Sequence, residues 1–499
     1  MEKLSKKVFF RIWAILGLVA LVVIWFLPWR FQTNDDELMM WLVSGAYTGE
    51  PESYAVFIHP ILSWCFSKLY TFFPAIPWYP LTWFSVMYLS YLIFLDLVWK
   101  KNSQQLILQI WSLFLFAFLI HFTFFLQFSI VSAFAVSAGI SARILKWNSP
   151  KFLLTFFSTD ILILFGFLIR EQVPFLILTG MLVLNLILGQ RRIFQAALVP
   201  LLSVLIFFGL TQFAIQEIGL GEFQKLNKLR SEVFDHPVLQ LMKDDFKNED
   251  PTLYYFANGL INFQQDELTI EKLENWKEKL NQDRLTLYLP NRLVQSFWTY
   301  LEHEWFFIAI ILTFFLFSII LFRWKAIFLL SILFIITLIL SPFYLLKVQI
   351  YAILFLTFFS ACLVIPVRSF RGNLKPLYAI SFAITIGIGV HFKSFFEKKA
   401  NLTSSENLSN KLTALKQIGF ERIYLIGAGA NLRDYKFAKT IPFKILGWPT
   451  FLEKDNYPNP LSKTAFLVDK DIFHSYQGYF DRYSSPKIIM EDFILVTVE

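Results

Sequence analysis

The chain has 499 residues, of which 56% are hydrophobic and only 16% charged; 59 are phenylalanine, and the net charge is +8. Soluble domains carry about 25% charged residues, so a soluble enzyme is excluded and a polytopic membrane protein is indicated. The positive charge is not a nucleic-acid footprint because it falls in short loops between apolar runs, and Cys65 and Cys362, both in apolar segments, supply neither a disulfide framework nor a metal site.

A basic start, 1–7, precedes an apolar run, 8–29, that is too long for a signal peptide and lacks a small-residue cleavage site. It reads as an uncleaved anchor with its N-terminus in the cytoplasm. Immediately beyond it come Asn34, Asp35, Asp36 and Glu37, then Leu38, Met39, Met40 and Trp41. Residues 54–73 read as an amphipathic helix lying along the membrane or as a re-entrant segment.

Further runs follow at about 78–99, 105–121, 125–145, 152–169, 173–189, 194–216, 305–322, 326–344, 348–366 and 377–392. Most are close to the length that crosses about 30 Å of hydrocarbon as a helix. With the first run they make about eleven spans and place the C-terminus outside. Lys100, Lys101, Arg143, Lys146, Lys151, Arg191, Arg192, Arg323, Lys325, Arg368, Arg371 and Lys375 all fall on the side this count makes cytoplasmic. The opposite short loops hold only scattered cations such as Arg30, Arg170 and Lys347, which is a positive-inside pattern.

Two polar regions are then external. Residues 218–304 read as a helical insertion, with Leu273, Trp276 and Leu280 spaced for one face. Residues 393–499 read as a small α/β domain, with a helix near 405–418 and a strand at 422–427. The Gly427–Gly429 pair lacks the rest of a dinucleotide fingerprint, since Leu432 stands where glycine is needed, and it reads as a strand-to-loop turn. The expected organisation is a membrane domain over 1–392, with an acidic loop and interfacial helix at 30–77, followed by an external domain at 393–499. No internal repeat of the kind that builds many transporters is visible.

Asp35, Asp36 and Glu37 admit two readings. Acids favour helix N-termini, so they suit a cap on a membrane-surface helix; a partly desolvated carboxylate also suits a general base beside the bilayer. Arg170 and Glu171 interrupt two apolar runs, either as a self-paired loop or as a phosphate-binding arginine oriented by its neighbour. Lys347 precedes a span, where a cation opposes the helix dipole unless an anion lies there; the other reading is snorkelling to the interface. His59 and His121 are predicted near the external face, where a lone histidine in an apolar setting is more often hydrogen-bonded structure than a ligand. His303, between Glu302 and Glu304, either closes a site from the large loop or caps a helix. No metal-ligand spacing of the usual kinds is present.

An acidic pair in the first external loop, directly after the first span, resembles the signature of GT-C class membrane glycosyltransferases, such as protein O-mannosyltransferases and lipid A aminoarabinose transferases. The order of first span, acidic loop, interfacial helices, many spans and external C-terminal domain is similar as well. Asp36 belongs to both the Asp35-Asp36 and Asp36-Glu37 registers and is the first choice for the base, with Asp35 second. The resemblance implies a polyprenyl-phosphate-linked sugar donor, a glycan, lipid or protein acceptor, an inverting transfer outside a bacterial inner membrane, and no nucleic acid. It implies that Lys347 and Arg170 hold the lipid phosphate and that Glu37, His59, Glu171 and His303 touch substrate. A divalent metal stays open, because that class contains enzymes with and without one. Two rivals are a lipid-linked oligosaccharide flippase, which needs charges lining a path through the membrane, and a polysaccharide polymerase or ligase.

Overall fold

The computed structural model describes residues 2–101, 104–146, 152–188, 191–217, 219–260, 268–365, 372–400, 406–427, 437, 439–452, 463–482, 487–489 and 493–497. The N-terminal part runs α1 (Glu2–Trp25), β1 (Arg30–Phe31), α2 (Asn34–Ser44), α3 (Pro60–Phe72), α4 (Trp78–Lys101), α5 (Gln105–Phe124), β2 (Phe125–Leu126), α6 (Phe128–Leu145), α7 (Phe152–Ile169), α8 (Gln172–Leu188) and α9 (Arg191–Glu217). Then come α10 (Gly221–Phe234), the short α11 (Pro237–Leu241), α12 (Phe246–Glu249) and α13 (Pro251–Ala257), and α14 (Ile270–Gln282) and α15 (Pro290–Trp298). Four apolar or mixed helices follow: α16 (Trp305–Phe322), α17 (Trp324–Leu340), α18 (Val348–Val364) and α19 (Lys375–Ala400). The chain ends with α20 (Glu406–Ile418), β3 (Arg422–Ile426), α21 (Pro449–Leu452), β4 (Thr464–Asp469), α22 (Lys470–Ser475), α23 (Gln477–Phe480), β5 (Lys487–Ile489) and β6 (Phe493–Thr497).

Among the described residues, seven helices are long and apolar enough to cross a membrane, within α1, α4, α5, α6, α9, α16 and α19, and α7, α8, α17 and α18 contribute shorter apolar helices. The protein is a polytopic α-helical membrane protein. Several helix ends differ from the hydropathy reading for stated reasons. Proline favours the first helical position, so α3 starts at Pro60 rather than at 54. Pro342 lies in the turn after α17, which ends at Leu340 rather than 344. α19 runs on past 392 to Ala400. Of the turn expected at Gly427–Gly429, Gly427 is described, at φ +85, and residues 428–430 lie outside the described residues.

The chain divides into two compact units. The first comprises Met1–Leu210, Tyr300–Leu338 and Lys347–Asn401. Its centre is α6, packed against α4, α7, α8 and α18. Small residues make this possible: a Cβ on Gly166 of α7 would lie 2.4 Å from Val136 Cγ2, and one on Gly139 of α6 would lie 2.8 Å from Ile163. Such close helix approach is how apolar helices associate where there is no water to expel. Ser132 Oγ reinforces the contact by donating to the Gly166 carbonyl at 2.6 Å. Beside it, Phe94, Trp111, Phe114, Phe118, Phe314 and Phe359 interlock edge-to-face and tilted, geometries the ring quadrupoles favour. α5 ends at β2, which pairs in parallel with β1 through Arg30–Phe125 and Phe31–Leu126.

The second unit comprises Thr211–Thr299, Ile339–Leu346 and Leu402–Glu499. α10 packs on α14, whose Leu273, Trp276 and Leu280 are buried, the face expected from the spacing. The terminal segment forms a four-stranded sheet in the order β3-β4-β6-β5, with β3 and β4 parallel and the other pairs antiparallel. The insertion and the terminal segment share a core: Tyr479 donates to the Leu260 carbonyl at 2.7 Å, and Tyr254 meets Tyr476 with ring centres 5.6 Å apart.

Candidate functional site

The acidic turn opens α2. Thr33 is the extended N-cap, its side chain makes no cap bond to α2, and Asp35, Asp36 and Glu37 occupy the first turn, where the dipole favours negative charge. Gly45, in the left-handed region at φ 76, closes the helix.

Asp36 does not serve its own helix. Its carboxylate accepts the Tyr79 hydroxyl at 2.9 Å and the Phe128 N–H, 3.3 Å from each oxygen; Thr33 Oγ1 lies 3.5 Å from Oδ2. Phe128 is the first residue of α6, and Gln127, the N-cap there, makes no side-chain cap bond. An acid of α2 therefore caps α6, satisfying one of the amides every helix start leaves open. Asp36 has no exposed surface at all. Burial pushes its carboxyl well above the usual range, aided by Asp35 and Glu37 and opposed by the Tyr79 and Phe128 hydrogen bonds. Asp35, one residue earlier and about 100° round the helix, is half-buried, and Glu37 is buried.

Arg170 lies in the break between α7 and α8, with its guanidinium 5.1 Å from the centre of the Phe128 ring and 5.5 Å from that of Phe57. Phe128 thus joins the two: its amide binds Asp36 and its ring carries Arg170. Glu171 is half-buried; burial raises its carboxyl, and Arg170 opposes the rise. His59 is the N-cap of α3, where Nδ1 accepts the Ile61 N–H at 3.2 Å and the main-chain N–H reaches the Leu168 carbonyl at 2.9 Å. Burial lowers the imidazole to about 4, so it stays neutral and able to accept that bond. Lys347 is the half-buried N-cap of α18, which packs on α6 and α8.

His303 is 89% exposed and lies 3.6 Å from Glu302. The residue that reaches inward is its neighbour Glu304, which accepts from Gln32 Nε2 at 3.1 Å and lies 3.8 Å from His121 Nε2. His121 Nδ1 is in turn 3.4 Å from His391 Nε2, and Phe306 stacks on His391 at 3.8 Å. Sequence reasoning missed Tyr79, Gln32, Glu304 and His391. The one local signal was the position of Glu304, directly before the apolar run that starts at Trp305.

Among the described residues, no group of three or more His, Cys, Asp or Glu side chains is arranged to hold a metal ion. Asp36 directs its oxygens to Tyr79 and Phe128, which leaves them engaged by protein donors. The arrangement offers a fixed, buried acid, a more exposed acid beside it, and an arginine held across the same phenylalanine.

No family model and no curated protein matches the chain. Among solved structures, the crystal structure of ArnT from Cupriavidus metallidurans bound to undecaprenyl phosphate aligns over 97% of each chain, at 12% identity and a TM-score of 0.37.

Proposed function

We propose that this protein is a membrane glycosyltransferase of the GT-C type, which transfers a sugar from a polyprenyl-phosphate donor to an acceptor hydroxyl at the external membrane surface. The observation that carries this reading is the gathering of the acidic turn and Arg170 around Phe128. A transfer of this kind needs a base for the acceptor and a cation for the leaving phosphate within one site, on opposite sides of the anomeric carbon. The acceptor oxygen attacks the anomeric carbon while a carboxylate takes its proton. The bond to the phosphate oxygen breaks, and that oxygen leaves with the electron pair as lipid phosphate.

The base is assigned to Asp35. A general base must come within hydrogen-bond reach of the proton it removes, and Asp36 is sealed from solvent with protein donors on both oxygens. Asp36 instead fixes the turn against α6. Arg170 is assigned to the phosphate, since a guanidinium matches its oxygens in planar, two-pronged fashion. Lys347 is its second cation, with Glu37 and Glu171 setting the local charge. His59 supports the site as the cap of α3. His303, on the exposed turn before α16, is left for acceptor contact. The acceptor is a glycan, lipid or protein hydroxyl, and the setting is a bacterial inner membrane with 393–499 outside.

The test is sugar transfer in membranes supplied with a panel of radiolabelled polyprenyl-phosphate sugars. Asp35→Asn keeps shape and hydrogen bonding but removes the base, and is expected to lose about 10²–10⁴-fold in rate. Arg170→Gln is expected to lose about 10²–10³-fold. Normal transfer by a correctly inserted Asp35→Asn protein would remove the base assignment. No transfer by the unaltered protein from any donor would remove the reaction, and lipid-linked oligosaccharide flipping would be assayed in its place.

A further inference from the structure

We propose that residues 284–298, within a region whose composition reads as an aqueous domain, form an anchor that lies in the head-group boundary of the bilayer. The segment is a 3-10 turn, Arg284–Tyr288, followed by α15. Its outward face is apolar: Leu285 is 68% exposed, Leu289 58% and Val294 67%, with Tyr288 and Trp298 exposed beside them.

The charged residues of the segment turn away from that face. Arg284 donates to the Pro342 carbonyl at 2.9 Å and covers the Phe343 ring at 5.1 Å, and Arg292 pairs with Asp245 at 3.3 Å. Leu287 and Ser296 face inward, and Gln295 donates to the Leu241 carbonyl at 2.9 Å. α14 of the same unit is built the opposite way: its outward positions include Glu271, Glu274 and Glu278. One helix is dressed for water and the other is not.

Connectivity identifies lipid as the occupant. Tyr288 O–H donates to the Ile339 carbonyl at 2.9 Å, in the last turn of the apolar α17. Ile339 and Tyr344 are themselves exposed, so the outward face of 284–298 adjoins exposed apolar residues at the end of the apolar α17. On the other flank, seven residue steps separate Trp298 from Trp305, where the membrane-crossing α16 begins, and extended chain spans at most about 25 Å over that distance. The segment is thus held near the bilayer boundary at both ends. Its exposed Tyr288, Trp298 and Tyr344 are the residue types that concentrate there, and a helix with one apolar face suits the interface plane. The inference rests on the apolar helices α16 and α17 and is independent of the proposed transfer reaction.

The experiment uses the full chain in phospholipid nanodiscs, with Cys65 replaced by serine and the fully buried Cys362 retained. Leu289→Cys, Val294→Cys and, as an aqueous reference, Glu278→Cys are each spin-labelled, at exposed positions that tolerate the change. Power saturation then compares accessibility to oxygen, which concentrates in lipid, with accessibility to a water-soluble nickel chelate. The oxygen-to-nickel ratio is expected to be several-fold higher at 289 and 294 than at 278. Ratios at 289 and 294 equal to that at 278 would place the face in water and overturn the proposal. Low accessibility to both reagents would assign the face to a protein contact, including a second copy of the chain, and would overturn it equally.

Discussion

α6 and α16 are both eighteen-residue apolar helices, yet 94% of α6 is buried inside the protein and only 33% of α16. Their sequences explain the difference. α6 is rich in serine, alanine and glycine between its branched and aromatic residues, whereas α16 is mostly phenylalanine, isoleucine and leucine. In a bilayer, large apolar side chains gain nothing by leaving lipid for protein, while small ones let backbones approach. Small residues therefore mark the helix at the centre, and the start of that central helix is where the acidic turn docks. The comparison shows that the position of the candidate site follows from packing rather than from hydropathy.

The sharpest way to break the difference is at the start of α6. Asp36→Ala leaves the Phe128 N–H and the Tyr79 O–H without their buried acceptor, a loss of about 2–6 kcal/mol if each orphan costs its usual 1–3; thermal unfolding in nanodiscs measures it. Asp36→Asn keeps one acceptor oxygen and is expected to cost less, with a change in pH dependence. Because the Asp36 carboxyl is raised in the folded protein, the folded state holds its proton longer than the unfolded one. Its contribution to stability is thus greatest below the ordinary carboxylate range and falls as pH rises toward the raised value. Asp36→Asn should remove that slope; a slope unchanged in the variant would show that another group produces it.

Next comes the α6–α7 contact. Gly166→Leu forces atoms against Val136 and the Ser132 carbonyl and is expected to cost about 1–3 kcal/mol. A melting temperature equal to that of the unaltered protein would contradict the close approach.

A smaller effect tests the cap of α3. His59 is lowered from 6.5 to about 4, so the unfolded state takes up the proton first, and stability is lost as pH falls from 6.5 towards 4. The loss should be about 1 kcal/mol at pH 5.5 and should be absent in His59→Asn, which can still cap. At the far end of the scale, Leu316→Ala, on the lipid-facing side of α16 and 59% exposed, is expected to stay within about 0.5 kcal/mol. A large loss there would mean that α16 is covered by protein.

Much of this was legible in the residues themselves. Hydropathy and length located the apolar helices, and the spacing of Leu273, Trp276 and Leu280 located the inner face of α14. The start of a helix at the acids was equally readable, since acids suit a first turn. What a local pattern does not contain is the direction of a side chain toward a partner far along the chain. Asp36 reads as a cap for α2 and proves to cap α6. His303 attracts attention as a histidine, whereas the inward residue is Glu304, whose partners Gln32 and His121 lie far along the chain. The choice between Asp35 and Asp36 was ambiguous for the same reason: burial is decided by helices that arrive later.

The bond between Asp36 and Phe128 also has a consequence for biogenesis. Ninety-two positions separate the two residues, so at ordinary rates of synthesis the acid is made on the order of 5–20 s before the amide that receives it. Throughout that interval the carboxylate has no α6 to enter and is kept at the membrane edge by its own hydration. The bond to Phe128 can form only when the fourth long apolar helix has been made. Asp36 thereby acts as a latch on the order of assembly, closing the acidic turn after the helices that will frame it are in place.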